Sequence, residues 1–209
     1  MISMLKNIVA SNVTRYGSAY TSNGAEIKAI ILKADVSVDK PTRDFTLLAG
    51  YNASIENGYL IEGQGEHFVP TKIDLPNFLG GKDQYTRGYL KQANASVDIK
   101  SYVDPANASK DAWDSPTGTD GTDWGWVTQK TGIYVNFERR ELRPDNQAIG
   151  QIEESEFLIT IPRSVNASIT PVAELRVSDR DGRNWKVLDV DDKTYLNQAY
   201  VVRVSSDAR

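Results

Sequence analysis

The sequence predicts an all-β fold, a barrel or sandwich built of short antiparallel strands, and three observations carry that reading. Apolar and polar residues alternate through most of the apolar segments, the period of a strand with one buried face. Turn dipeptides recur at short intervals, at Asn23-Gly24, Asn57-Gly58, Gly80-Gly81 and Asp181-Gly182. Helical periodicity is confined to the N-terminus, where Ile2, Leu5, Ile8 and Val9 line one side of a short helix that Asn12 would stop.

After that helix, "AEIKAIILKA" (Ala25–Ala34) reads as a buried strand, because its run of branched residues suits a pleated surface. Ala95, Val97, Ile99 and Val103 alternate through "NASVDIKSYV". Ile133, Val135 and Phe137 share one face of the next strand, as do Phe157, Ile159 and Ile161 of "EFLITIP". "VSDRDGRNWKVLDVDD" (Val177–Asp192) reads as a hairpin turning at Asp181-Gly182. Trp185 and Val187 point to one face of its second strand, and Leu188 and Val190 to the other. That change of phase predicts a bulge or a strand buried on both sides. A further turn around Asp191–Asn197 leads into the last strand, where Tyr200, Val202 and Val204 alternate.

The stretch Asp104–Gly132 breaks the pattern. It is rich in Asp, Thr, Gly and Pro, yet holds Trp113, Trp124 and Trp126. A loop of that length in a compact domain is uncommon unless it is functional or disordered. Tryptophans are costly to leave in water, so the loop is expected to fold over its own barrel or to serve as a partner-binding arm. In the second case Trp113, Trp124 and Trp126, with Asp120 and Asp123, are the candidate contacts; a sugar-stacking platform is a third use. The chain therefore divides into an N-terminal helix with a first β module (1–103), the long loop (104–131) and a C-terminal β-barrel module (132–209). The two modules can also form one domain. A faint repeat links them: "NASI" occurs at 52–55 and 166–169, Gly65-Glu66-His67-Phe68 answers Gly182-Arg183-Asn184-Trp185, and Ile73-Asp74 answers Val190-Asp191.

Composition excludes several functions. With 209 residues, 40% of them hydrophobic, the chain can bury a real core without staples. It has no cysteine, so disulfides and thiolate metal sites are absent. The net charge of −4 is spread along the sequence, without the concentrated positive field that nonspecific nucleic-acid binding needs. "NFERRELR" (Asn136–Arg143) is the densest basic run, but two glutamates interrupt it, and it reads as a solvated strand or turn. The N-terminus lacks a signal-peptide core, and no run of eighteen apolar residues occurs, so a soluble chain without membrane contact is expected.

The acidic hairpin does not read as a metal loop. An EF-hand with Gly182 at position six has Asp179 and Asp181 correctly placed, but Val177 and Leu188 stand at the two anchoring positions. Turn carboxylates screened by water also make poor general acids. Asp179, Asp181, Gly182 and Trp185 are therefore assigned to a structural hairpin tip. His67 is the lone histidine, which excludes a multi-histidine metal site, and its strand-like setting reads as structural. Nucleophile-elbow, P-loop and dinucleotide motifs are missing. The four "NAS" tripeptides, at 52, 94, 107 and 166, read as turns. An enzyme is not expected, nor is any cofactor.

The order of elements in "EFLITIPRSVNASITPVAELRVSDRDGRNWKVLDVDDKTYLNQAYVVRVS" resembles that of the head-closure (stopper, or head–tail joining) proteins of tailed bacteriophages. The likeness lies in a Gly-containing turn that introduces Trp185, followed by Val187 and Val190 and a closing strand at Ala199–Ser205. It covers about Gly132–Ser206, and the segment before Asp104 exceeds the usual plan. The resemblance implies a virion structural protein, assembled in the host cytoplasm, that forms a sixfold or twelvefold homo-oligomeric ring in the neck. Such a ring contacts portal or adaptor and tail proteins, closes the head, and lets genomic DNA pass without sequence-specific binding. Another tail-completion or baseplate component fits the same pattern. From a different class, a carbohydrate-binding β-sandwich would use Trp124 and Trp126, with Trp113 as a third candidate ring. A hydrolase acting through turn carboxylates is the remaining alternative.

Overall fold

A computed structural model describes residues 11–33, 44–50, 53–74, 85–103, 125–139, 156–168, 175–196 and 198–207. Twelve antiparallel strands close into two six-stranded barrels joined by Ala93-Asn94. The first contains β1 (Ser18–Ser22), β2 (Ala25–Lys33), β3 (Asp44–Gly50), β4 (Ile61–Gly63), β5 (Glu66–Asp74) and β6 (Tyr85–Gln92). The second contains β7 (Ala95–Val103), β8 (Gly125–Arg139), β9 (Glu156–Pro162), β10 (Leu175–Asp179), β11 (Asn184–Tyr195) and β12 (Ala199–Asp207). Closure pairs every barrel strand on both sides over at least part of its length, which removes most of the free edge an open sheet would expose.

The two barrels share one strand order. Around the first it runs β1-β2-β3-β6-β5-β4, and around the second β7-β8-β9-β12-β11-β10. The faint sequence repeat falls on equivalent places in that order. Gly65 and Gly182 both lie in the turn between a fourth and a fifth strand, with φ of 77° and 78°. Ala53–Ile55 follow the third strand of the first barrel, and a 3-10 turn at Arg163–Ser168 follows the third strand of the second.

This order corrects the division expected from sequence. Ala95–Val103 is not part of the first module but the first strand of the second barrel, paired with β8 and β10. Residues 104–124 therefore connect two strands of one barrel rather than separating two modules, and Gly125–Gly132 is strand rather than loop. The N-terminal helix also differs: residues 11–16 are helical, so Asn12 does not stop it. Gly17 N–H closes the last turn on Val13 O at 2.9 Å. Ile2, Leu5, Ile8 and Val9 lie outside the described residues.

Each core is the inward face of its strands. Tyr20, Ile27, Ala29, Leu47, Ala49, Ile61, Phe68 and Leu90 fill the first barrel. Val97, Ile99, Ile133, Val135, Ile159, Ile161, Leu175, Val177, Trp185, Val187, Tyr200, Val202 and Val204 fill the second. Each fully buried Ile, Leu or Phe contributes roughly 1.5–3 kcal/mol. The expected faces of β8, β9 and β12 are these inward faces. β2 alternates instead of being buried throughout, and Leu32 is 51% exposed. In β11 the register shifts between Val187 and Asp189, leaving Leu188 exposed as the extra residue while Val190 rejoins the core. β11 then runs on to Tyr195, so Asp191 and Asp192 lie within the strand rather than in a turn. Asp191 accepts the N–H groups of Lys193 and Thr194 at 2.7 and 3.0 Å, which bends the strand locally.

Candidate functional site

The barrels meet along a polar seam. Lys91 Nζ of β6 donates to Glu138 Oε2 of β8 at 2.7 Å, and Asn136 Nδ2 donates to Gln92 O at 3.0 Å. Gln198, between β11 and β12, accepts Gly58 N–H at 3.2 Å and donates to Asn57 Oδ1 at 2.7 Å. His67 of β5 stacks on Tyr134 of β8, with ring centroids 3.6 Å apart and planes at 12°. Its Nδ1 lies 3.4 Å from Glu62 Oε1 without hydrogen-bond geometry. The sole histidine is thus a seam residue, held by a ring from the other barrel.

At one end of this seam a groove of about 690 Å³ opens between the two equivalent hairpins. One wall is the β4–β5 tip with Glu66 and His67, and the other is the β10–β11 tip from Asp179 to Arg183. The floor holds Phe137, Phe157 and Trp185; both Phe rings meet Trp185 edge-on and are tilted against each other, with centroids 4.9–5.3 Å apart. The linker fixes their height. Asn94 pairs like a strand residue with Phe137, its Oδ1 accepting the N–H at 2.6 Å and its Nδ2 donating to the carbonyl at 2.8 Å.

The β10–β11 tip is a three-residue turn closed from Asp179 N to Arg183 O at 3.0 Å, with Gly182 in the left-handed conformation. Asp179 is not free for chemistry. One carboxylate oxygen accepts Arg183 N–H at 2.9 Å, and the other accepts Trp185 Nε1–H at 3.3 Å. The acid therefore orients the turn and the indole below it. Arg180, Asp181 and Arg183 project as an exposed charged rim. Among the described residues neither arginine side chain has an acidic partner. The lining thus combines three aromatic rings with two guanidinium groups, a combination suited to apolar side chains and carboxylates together.

The candidates read from sequence divide three ways. Asp179, Asp181, Gly182 and Trp185 do form one hairpin tip, and it lines the groove. Trp126 lies elsewhere, on β8 opposite Tyr102, with the guanidinium carbon of the buried Arg176 4.2 Å from its ring centroid. There it covers its own barrel. Trp113, Trp124, Asp120 and Asp123 lie outside the described residues. Sequence reasoning missed Arg180, Arg183 and the His67–Tyr134 stack. The arginines were readable as an i, i+3 pair on a turn; the stack joins residues 67 positions apart and left no local signal.

No group of three or more His, Asp or Glu side chains able to hold a metal ion occurs among the described residues. No helix there is long and apolar enough to cross a membrane. No protein-family model matches the chain, and no curated protein matches it.

Proposed function

We propose that the protein works by assembly rather than turnover, as a virion structural subunit of a phage neck ring that closes the packaged head and docks the tail. The observation that carries this reading is the polarity of the barrel tandem. Two closed barrels meet along one seam, with a groove at the start of β7 and, at the other end of β7, the point where the acidic segment 104–124 follows in sequence. Heterologous contacts that close a ring need a donor and an acceptor at different places on one body. The likeness to head-closure proteins supports the same reading, since its turn, Trp185, Val187 and Val190 fall together on the β10–β11 hairpin of a closed barrel.

A carbohydrate platform built on Trp126 finds less support, because Arg176 occupies one face of that ring. The test is electron microscopy of the purified chain with co-purified partners counted by mass spectrometry. Sixfold or twelvefold rings with portal and tail proteins in matching ratios are expected. A chain that stays monomeric, recruits no virion protein and elutes from polysaccharide overturns the reading.

A further inference from the structure

We propose that the groove between the barrels of one copy receives the acidic segment 104–124 of a second copy, a contact that rests on the assembly reading above. Charge complementarity points to this occupant. The groove's rim carries Arg180 and Arg183, exposed and without an acidic partner among the described residues. Segment 104–124 carries five aspartates against one lysine, with Trp113 and Trp124 among them. Its alternation of carboxylates and large rings matches guanidinium groups set above a floor of Phe137, Phe157 and Trp185. Asp181, between the two arginines, keeps the rim from acting as a general anion trap and offers a partner to Lys110.

Geometry favours a second copy over the chain's own arm. The groove is lined by Ala95 and Ser96, where β7 begins, whereas the arm departs from Val103, where β7 ends. Nine residues of strand separate the two by about 26–30 Å. The segment is tethered at both ends, at Val103 and at Gly125 of the neighbouring β8, so an excursion and return leave it only about ten residues each way. That reaches about 35 Å when fully extended, which leaves only about two residues each way to occupy the groove. A copy placed head to tail presents the root of its arm near the groove without that extension. Donor and acceptor at opposite ends of one barrel form a heterologous contact, the kind that closes rings.

The test uses the full-length chain. Arg180→Glu with Arg183→Glu reverses the rim at two exposed side chains of the turn and leaves the Asp179 contacts in place. Self-association measured by sedimentation is expected to weaken about tenfold or more. Adding Asp120→Lys and Asp123→Lys to the same chain is expected to restore it, and raised salt to weaken only the wild type and the restored variant. The native chain has no cysteine, so an Arg183→Cys, Asp123→Cys chain reports the contact directly. Disulfides between chains are expected. A disulfide within a monomer, or wild-type association that ignores the charge reversal, overturns the contact while leaving the neck reading intact. Wild-type chains that remain monomeric to the limit of solubility also overturn it; recovery of portal and tail partners judges the neck reading separately.

Discussion

Gln198 of the second barrel is hydrogen-bonded to the buried backbone N–H of Gly58 in the first, at 3.2 Å, across 140 residues of sequence. Gln198 is itself buried, and its amide nitrogen is used by Asn57. One side chain thus satisfies a donor and an acceptor of the opposite barrel. Gln198→Ala leaves the Gly58 N–H unpaired and is expected to cost about 1–3 kcal/mol. Gln198→Glu keeps the acceptor but sets a buried carboxylate against Asn57 Oδ1, and is expected to cost at least as much as the alanine variant. Urea denaturation reads both as a lower midpoint at unchanged slope. An unaltered midpoint in the alanine variant would show that water replaces the bond and that the seam does not depend on it.

The Lys91–Glu138 pair gives the same seam a pH dependence. Burial pulls the Lys91 pKa down, but the hydrogen bond and charge of Glu138 outweigh it and hold the group above the usual lysine value. Burial likewise raises the phenol of Tyr195. Both folded-state groups keep protons that the unfolded chain releases, so their contribution is complete at neutral pH. It is lost as pH rises above about 10, through the ordinary tyrosine and lysine range and on through the raised folded values. Glu138→Gln is expected to cost on the order of 1–2 kcal/mol at pH 7, discounted for a pair that is partly exposed. The gap between wild type and variant should then narrow above pH 10. A gap that stays constant with pH would assign the loss to packing instead.

Trp126 and Arg176 make a third test, at the far end of the second barrel. β10 is buried on both faces over Leu175–Ser178, and the indole lies against its outward arginine. Removing the ring uncovers a strand that has no other exposed face. Trp126→Ala is expected to cost about 2–4 kcal/mol, from lost area together with the cation–π contact. Trp126→Phe, which keeps a ring face, should recover part of that. If the arm rather than the ring is what matters here, both variants will unfold with wild-type midpoints and only assembly will change.

What the sequence made legible follows from the range of each signal. Period-two alternation is local, so the inward faces of β8, β9 and β12 and the change of phase at Leu188 could be read directly. The boundary between barrels could not. β7 reads as a strand anywhere, and only its pairing with β8 and with β10, the latter some eighty residues on, places it in the second barrel. The hairpin tip was visible from Asp181-Gly182, but its use was not. That Asp179 holds the Trp185 indole, and that Phe137 and Phe157 converge beneath it, are facts of barrel closure. The end of β11 was misplaced because Asp191 and Asp192 look like turn residues, whereas Asp191 bonds to its own strand two and three residues on.

The equivalence of the two barrels leads to a last prediction, at Gly65 and Gly182. Both occupy the left-handed region in the turn from a fourth to a fifth strand, and a Cβ added at either meets no atom within 4 Å. Alanine there is opposed by backbone conformation alone, which costs about 1 kcal/mol. The surrounding turns differ: the first has Gln64 at φ 55° beside its glycine, and the second is a longer turn closed from Asp179 to Arg183. If strand order sets the demand, Gly65→Ala and Gly182→Ala will destabilise by similar amounts. Their double variant will be additive, since the turns share no hydrogen bond. Asparagine at either site should recover most of the loss, because it tolerates the left-handed region. A much larger cost at Gly182 than at Gly65 would mean that the second turn is held for the groove it lines, with Asp179 and Trp185 losing their alignment along with it.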